Sequence, residues 1–406
     1  MNENNQISQN LLLSIESSCD DSSIALSDIQ SYNLIYHRKI SQENAHNSYG
    51  GVVPEIASRL HCESLPLVLA DMKRFLTKDF AKNPPFISTQ NPLSAIKAIA
   101  ITTQPGLSVS LLQGLMMAKT LSCSLNIPII SINHLIGHFY SLFINQQTTT
   151  IPMSVLLVSG GHTQILEAHS KEDFRIVATS KDDSFGECFD KVAKMLNLGY
   201  PGGAIIEQYA KKYEQIKRES TLDFSDLYAQ NSLPMPLKHS KELAFSFSGL
   251  KNATRLLIQS FIKSAFVESH TDFTQTNNAK IINDKNILTQ PQIAYICALF
   301  QDVAIRHICD KLTRYLKHKV ECNERVETLG IVGGASSNLA LRSAIEKICK
   351  KFGVNLMLAK MQFCTDNAAM IGRAGIEEYK NGHFSDVDSS EISPHSDCSY
   401  LKKAAL

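Results

Sequence analysis

Two similar strand–turn–strand patterns, about 140 residues apart, constrain the fold of this chain more than any other feature of its sequence. The first has apolar runs at 11–16 and 23–26, joined by a turn-like segment. The second has apolar runs at 155–158 and 163–167, joined by a Ser-Gly-Gly-His turn. Segments with helical and strand patterns alternate after each hairpin, which is typical of an α/β protein. The sequence therefore predicts an α/β fold with two related lobes.

Polar segments set the expected domain boundaries. We expect a polar N-terminal tail at 1–10, a first lobe at 11–150, a second lobe at 151–380 and a polar C-terminal tail at 381–406. The last helix of the second lobe is expected to pack back on the first lobe. Two polar stretches, 77–94 and 271–286, have the composition of solvated insertions, and the tail after Gly382 has that of a poorly ordered segment.

Charge and cysteine usage exclude several classes of protein. The net charge of +1 over 406 residues gives no global field toward nucleic acid or an anionic membrane, so any RNA contact needs a local patch or a partner. The small basic clusters at 238–241 and 347–351 are more typical of a solvated surface. Ten cysteines form no CxxC pair, which argues against metal knuckles and thioredoxin-like pairs. Without a signal-peptide pattern or a long apolar span, the chain is expected in the reducing cytoplasm.

The segment His134-Leu135-Ile136-Gly137-His138 is the first candidate for chemistry. Residues i and i+4 lie on one face of a helix, so both imidazoles can reach one ion. Two ordinary helix histidines would give the same pattern, and on spacing alone neither interpretation is favoured. A zinc peptidase of the HExxH type would need a glutamate where Leu135 stands, so that chemistry lacks its base.

A metal site needs a third ligand, and Asp366 is the best candidate. It precedes an Ala-rich helix, where a carboxylate is more often the N-cap, so the capping role is the alternative. His162 is a further candidate ligand. Two histidines, one carboxylate and open coordination positions suit Zn²⁺ or Fe²⁺.

Three turns could border a nucleotide. Ser159-Gly160-Gly161 ends a strand and lets main-chain N–H groups approach an anion, although an ordinary hairpin turn has the same composition. A second Gly-Gly turn at 333–334 leads to Asn338, which either donates hydrogen bonds to a ligand or caps the next helix. Asp20 and Asp21 belong to a turn that either positions reacting groups or is a solvated hairpin tip. No GxxxxGK[ST] motif is present, which excludes a P-loop.

These motifs together make the sequence recognisable: it resembles the bacterial TsaD (YgjD) family of tRNA N6-adenosine threonylcarbamoyltransferases. The matching segments occur in the family's order and cover most of 11–375. They are 13–23, 49–59, 105–107, 114–122, 133–138, 157–164, 185–194, 200–203, 245–251, 332–338 and 364–375.

The resemblance implies an ASKHA fold, the two-lobed architecture of actin and Hsp70. It implies one divalent metal ion per subunit, Fe²⁺ with Zn²⁺ as the alternative, held by His134, His138 and Asp366. Carried over position by position, the residues that line the nucleotide donor are Leu157, Val158, Ser159, Gly160, Gly161, Asp190, Gly203, Glu207 and Asn338. The family commonly has Asp at the position of Glu207, so the carboxylate is kept here with a longer reach.

The implied reaction transfers the threonylcarbamoyl group of threonylcarbamoyl-AMP to N6 of the adenosine 3′ of the anticodon, releasing AMP. The tRNAs concerned read codons that begin with adenine, and Asp20 or Asp21 is a candidate to take the amine proton. The implied partners are tRNA, a TsaB-like paralogue and a TsaE-like ATPase. The alternatives are a metallopeptidase, an ATP-dependent kinase of small molecules on the same fold, and a chaperone-like binding module.

Overall fold

In the computed structural model, the described residues are 10–78, 93–219, 232–269, 288–396 and 401–403. The predicted N-terminal tail, except for its last residue, and the whole of the predicted 271–286 insertion lie outside them. So does most of the predicted 77–94 insertion. The division into lobes and tails stays a prediction, and the two β-sheets are described in its place.

The first sheet is formed by the N-terminal part of the chain. Its strands are β1 Leu11–Glu16, β2 Asp21–Asp28, β3 Leu34–Ser41, β4 Ile96–Gln104 and β5 Ile129–Asn133. Their order is β3-β2-β1-β4-β5, in which β1–β3 are antiparallel and β1, β4 and β5 are parallel. Every residue of β1 and β2 is buried, because both faces of this hairpin are covered by helices.

The second sheet repeats this arrangement. Its strands are β6 Met153–Val158, β7 Thr163–Ser170, β8 Asp173–Thr179, β9 Thr328–Val332, β10 Asn355–Leu358 and β11 Leu401–Lys403. Read from the opposite edge, the order β8-β7-β6-β9-β10 matches β3-β2-β1-β4-β5 of the first sheet strand for strand. Strand β11 is added at the β8 edge. The predicted pair of equivalent hairpins and the α/β, ASKHA-type fold are confirmed. The strand β8 is absent from the sequence prediction.

Helices connect and cover the strands. They are α1 Glu43–His46, α2 Pro54–Lys78, α3 Ser108–Leu125, α4 His134–Tyr140, α5 Phe185–Met195, α6 Gly202–Glu219, α7 Ser248–Ser269, α8 Gln290–Glu321, α9 Leu339–Phe352 and α10 Ala368–Lys380. The sequence pattern predicts a helix from His134 to about 144, but α4 ends at Tyr140 and continues as the 3-10 turn Ser141–Phe143. Among the described helices, none combines the length and apolar character that a membrane crossing requires.

The packing of α4 against α10 sets the position of the candidate site. A Cβ atom on Gly137 would lie 2.7 Å from Ile371 Cδ1, so any larger residue would require the Ile371 side chain to move, whereas glycine lets the two helices pack without that change. One core cluster contains residues of both sheets and of α10, among them Leu12, Leu157 and Met370. The N-terminal ends of α4 and α10 are therefore held together in a rigid, buried setting.

The C-terminal tail is packed, which corrects the expectation of a poorly ordered segment. Ser385 N donates to the main chain of β5 at 2.8 Å, and Ser393 N donates to Thr103 O at 2.9 Å. Val387 and Ile392 pack against the core cluster of the first sheet. Strand β11 then pairs in parallel with β8 of the second sheet. The described part of the tail thus contacts both sheets.

Candidate metal centre and donor cleft

The two histidines of α4 are brought to one point by the start of this helix. Asn133, the last residue of β5, caps it by accepting hydrogen bonds from Leu135 N at 2.9 Å and Ile136 N at 3.4 Å. His134 and His138 follow on one helix face, with their ring centroids 4.6 Å apart. Both rings are buried.

Asp366 completes the cluster from the turn before α10. The N-cap of α10 is the neighbouring residue, Asn367, whose side chain accepts from Met370 N at 2.9 Å. The capping alternative for Asp366 is therefore wrong, and its carboxylate points toward the histidines. Asp366 Oδ1 lies 3.3 Å from His134 Nε2 and 3.2 Å from His138 Nε2.

These three side chains fit a metal ion. One ligand atom from each lies within 4.8 Å of the others, as expected for donors around a single cation. The ring of His138 is wholly buried and its Nδ1 has no hydrogen-bond partner among the described residues, while its Nε2 faces Asp366 Oδ1 at 3.2 Å without hydrogen-bond alignment. A cation at Nε2 would satisfy that nitrogen. The Asp366 side chain is 23% exposed, which leaves one side of the cluster open. His162, the other candidate ligand, is not part of this group.

The charges of the cluster are strongly coupled. Burial favours the neutral forms, but the opposite charges of Asp366 and Glu16 raise the pKa of His134 well above its usual value. In turn, despite the opposing effect of burial, His134 holds the pKa of Asp366 well below its usual value. Burial lowers the pKa of His138, and burial and the two histidine charges lower that of His162 to about 4. A cation at the His134 Nε2 atom would take the place of its proton.

Glu16 is a functional candidate that the sequence interpretation missed. It ends β1 and is wholly buried, with Oε2 at 3.1 Å from His134 Nδ1. Thr102 Oγ1 donates to the same oxygen at 2.6 Å, and Ser18 N donates to the other at 2.6 Å. A charged residue at the end of an otherwise apolar strand was the available signal, since such a residue is rarely buried without a specific partner.

The glycine turn between β6 and β7 borders open space. Ser159 closes the turn: its main-chain N donates to His162 O at 2.8 Å, and its Oγ accepts from His162 N at 3.0 Å. A Cβ added to Gly160 or Gly161 would meet no atom within 4 Å. Ser184, the N-cap of α5, donates to Gly160 O, which holds the turn against the start of that helix.

Gly333 brings the second glycine turn against the first. Its φ is +92°, and a Cβ there would lie 2.3 Å from Val158 O, so no other residue fits without moving the main chain. Leu157 and Val158, two predicted donor-lining residues, have wholly buried side chains. Any contact that they make with a ligand must therefore come from their main chain.

Three further predicted donor residues belong to α5 and α6. Asp190 Oδ1 accepts from Gly202 N at 2.7 Å, and burial raises the pKa of its carboxyl to about 6. A Cβ on Gly203 would meet nothing within 4 Å. Glu207 Oε1 accepts from Leu339 N at 3.0 Å, at the start of α9.

Asn338 has a confirmed capping role. Its Oδ1 accepts from Leu341 N at 2.9 Å as the N-cap of α9, and its Nδ2 donates to Gln301 Oε1 at 2.9 Å. One amide hydrogen of Asn338 then remains for a ligand.

The turn after β1, which contains Asp20, contacts the second half of the chain. Tyr200 Oη donates to Asp20 Oδ2 at 3.3 Å. Burial, followed by the negative charge of Asp366, raises the pKa of Asp20. Asp21 instead forms an ion pair with Lys39 at 2.7 Å.

The family model and the sequence relatives indicate the same family. A family model described as "TsaD: tRNA N6-adenosine threonylcarbamoyltransferase" matches residues 33–373. The chain is 52% identical over 394 residues to a tRNA N6-adenosine threonylcarbamoyltransferase of Helicobacter acinonychis (strain Sheeba), covering 97% of this chain and 99% of that protein. It is also 52% identical over 384 residues to the protein of that name from Helicobacter pylori (strain J99 / ATCC 700824), covering 95% and 98%. A solved structure, the activator of the 2-hydroxyisocaproyl-CoA dehydratase from Clostridium difficile with bound ADPNP, is similar with a TM-score of 0.41 and 12% identity over 95% of this chain and 99% of that one.

Proposed function

Since the chain belongs to the TsaD family of tRNA N6-adenosine threonylcarbamoyltransferases, we propose that it transfers the threonylcarbamoyl group of threonylcarbamoyl-AMP to N6 of the adenosine 3′ of the anticodon, with release of AMP. The chain is a transferase that forms threonylcarbamoyladenosine, and tRNA is its acceptor substrate. The observation that carries the proposal is the convergence of His134, His138 and Asp366, from two segments more than 200 residues apart, with the Asp366 side chain 23% exposed.

We propose that these three residues hold one divalent cation. Two imidazoles and one carboxylate with open positions are typical of non-haem Fe²⁺ sites, and Zn²⁺ accepts the same ligands, so Fe²⁺ is the first candidate. A bound cation would polarise donor oxygens and offset the charge of the phosphate.

The donor is proposed to lie along the two glycine turns. Main-chain N–H groups at Gly160 and Gly161 border open space and suit the phosphate or carbonyl oxygens of the donor. Asp190 and Glu207 are proposed to accept hydrogen bonds from hydroxyl groups of the nucleoside. Such positioning matters because the N6 amine of adenosine is a weak nucleophile, its lone pair being delocalised into the purine ring.

Asp20 is the proposed proton acceptor for the attacking amine. Burial raises the pKa of Asp20, and the negative charge of Asp366 raises it further. Burial also raises the pKa of Asp190, and the charge of Asp20 adds to that rise. Both effects fit a position of Asp20 between the cation group and the donor cleft. Asp21 is the weaker candidate because Lys39 neutralises it. We expect Asp20→Asn to lower kcat strongly while cation affinity is kept, and Asp21→Asn to lower kcat less. Equal kcat values for the two variants would contradict this assignment.

Partner proteins are proposed to help hold the tRNA. With a net charge of +1, this chain has little overall attraction for a polyanion, and salt-dependent phosphate contacts are the main source of tRNA affinity in such complexes. A TsaB-like paralogue and a TsaE-like ATPase are the proposed partners. The cytoplasm is the proposed location, supported by nine cysteines that are free thiols in the described part of the chain.

The testing experiment reconstitutes the reaction. The full chain, Fe²⁺ or Zn²⁺, threonylcarbamoyl-AMP, the two partner proteins and unmodified tRNA are incubated, and the nucleosides are analysed by mass spectrometry. We expect threonylcarbamoyladenosine with the wild-type chain, a large loss with Asp366→Asn, and no loss with Asp302→Asn, a matched change at an exposed carboxylate. Absence of the modified nucleoside under every combination of partners and cations would refute the proposal.

The metallopeptidase alternative finds no support at the position where its base is required. Leu135 is 1% exposed and packs in the core, so no carboxylate faces the cation group from that position. Kinase activity would require phosphoryl transfer to a small acceptor without tRNA. A separate reaction of the chain alone with ATP and a small acceptor, without tRNA or the ATPase, detects it as formation of ADP.

A further inference from the structure

Glu16 is a buried carboxylate whose presence the fold alone does not explain. It occupies the last position of β1 and is not exposed to solvent. Both of its oxygens are engaged at short range, one by Ser18 N at 2.6 Å and the other by Thr102 Oγ1 at 2.6 Å. Burying a carboxylate is costly unless it is paired, so the role of Glu16 is expected to involve the residue that pairs with it. That partner is His134.

The imidazole of His134 is held at both ends. Its Nδ1 lies 3.1 Å from Glu16 Oε2 and 3.2 Å from Ser18 Oγ, while its Nε2 lies 3.3 Å from Asp366 Oδ1. A carboxylate at Nδ1 fixes the proton on that nitrogen, which leaves the lone pair of Nε2 directed at the cation group.

His138 differs from His134 in this respect. Its Nε2 also faces Asp366 Oδ1, at 3.2 Å, but its Nδ1 has no hydrogen-bond partner among the described residues. The two histidine ligands are therefore unequal, because only His134 is held by an acceptor at Nδ1.

We propose that Glu16 is a positioning residue of the cation site: by accepting the Nδ1 proton of His134, it fixes the ring orientation and tautomer with which His134 binds the cation. This inference rests on the proposed cation site, and it adds a residue beyond the three ligands. Thr102 and Ser18 hold the carboxylate of Glu16 in turn, so the orientation of His134 is transmitted from the ends of β1 and β4.

The test measures cation affinity instead of activity. Zn²⁺ is titrated into the metal-free full-length chain, with a chelator as competitor, for the wild type and for Glu16→Gln. Glutamine keeps the shape of the side chain but offers an amide that can donate to Nδ1 and place the proton on Nε2. We expect affinity to fall about 10- to 100-fold, the usual effect of losing such a partner. The matched control is Glu167→Gln, which changes another buried carboxylate, bound to Tyr315 at 2.7 Å, and should leave affinity unchanged.

A double-mutant cycle separates positioning from a general structural effect. If Glu16 acts through His134, Glu16→Gln should have little further effect once His134 is replaced by Ala, within about threefold. Should Glu16→Gln prove too unstable to study, Thr102→Val removes one anchor of the carboxylate and should weaken binding less, with the same dependence on His134.

Two results would overturn the inference. One is wild-type affinity in both Glu16→Gln and Thr102→Val. The other is an equal loss of affinity in the presence and absence of His134. Either result leaves the cation site itself intact, whereas failure of the wild-type chain to bind any cation would remove the cation site, and with it this inference.

Discussion

Replacing Asn367 by Ala should loosen both the start of α10 and the candidate cation site. The side chain is 1% exposed and makes three hydrogen bonds. It accepts from Met370 N at 2.9 Å and donates to Thr365 O at 2.7 Å and Phe363 O at 3.3 Å. Loss of an N-cap costs about 1 kcal/mol, and the buried Phe363 carbonyl left without a donor adds about 1–3 kcal/mol. The expected local cost is therefore about 2–4 kcal/mol.

This loss should reach the site through Asp366, which directly precedes the cap. With the cap gone, the turn that aims the carboxylate at the histidines is free to relax, and a misplaced ligand weakens cation binding by about tenfold or more. The assays are hydrogen exchange at the Met370 amide and Zn²⁺ titration of the metal-free chain. Because about 1.4 kcal/mol corresponds to a factor of ten, exchange at Met370 should become at least tenfold faster.

Asn338→Ala is the matched control, because Asn338 caps α9 in the same way through Leu341 N at 2.9 Å. We expect faster exchange at Leu341 and no change in Zn²⁺ affinity. Unchanged exchange at Met370 together with unchanged affinity in Asn367→Ala would refute the reasoning that places this cap in control of Asp366.

Three further predictions concern stability and the donor cleft. Gly333→Ala should lower the thermal midpoint and weaken donor binding, at a cost of about 1–3 kcal/mol, because its φ of +92° and a main-chain oxygen at 2.3 Å leave no room for a Cβ. In Gly334→Ala the Cβ would meet nothing closer than 3.7 Å, so the thermal midpoint measured by calorimetry should stay unchanged. Arg373→Met breaks a buried ion pair of 2.7 Å and should cost about 3–5 kcal/mol, whereas Arg306→Met, which breaks an exposed pair of the same i,i+4 spacing, should change denaturant midpoints little. Burial, followed by a neighbouring lysine, lowers the pKa of His307 from 6.5 to about 4, so the unfolded chain binds a proton that the folded chain does not, and stability falls as pH drops below 6.5. Between pH 7.5 and pH 5 this amounts to about 2 kcal/mol, which His307→Gln should remove from the measured pH dependence; an unchanged dependence would contradict the assignment.

Much of the fold could be read from apolar patterning. The apolar periodic run over 108–125 predicts a helix with these bounds, and α3 has them because the run stops at Asn126, which adopts a left-handed conformation as the C-cap. The strand β8 was missed because Lys171 and Glu172, between β7 and β8, carry none of the glycine, proline or asparagine signals of a hairpin turn. The tail was misjudged for a similar reason: its polar composition hides two apolar side chains that pack against the first sheet.

The site was only partly predictable. The spacing of His134 and His138 is a local property of one helix and is visible in the sequence. Asp366 can be a ligand only if its neighbour Asn367 caps the helix instead. Asp and Asn are both good N-caps, so the sequence does not decide between them. Glu16 stands out in the sequence only as a charged residue at the end of an apolar strand, and its role could not be predicted because its burial depends on β4 and α4, which are distant in the chain.

The most direct test of the central claim is anomalous diffraction from crystals of the full chain grown with Fe²⁺ or Zn²⁺, recorded at the absorption edge of the metal. We expect one strong peak, about 2.0–2.2 Å from Nε2 of His134, Nε2 of His138 and a carboxylate oxygen of Asp366. A cation bound elsewhere, or no peak at these three side chains in crystals of a chain that still forms threonylcarbamoyladenosine, would contradict it.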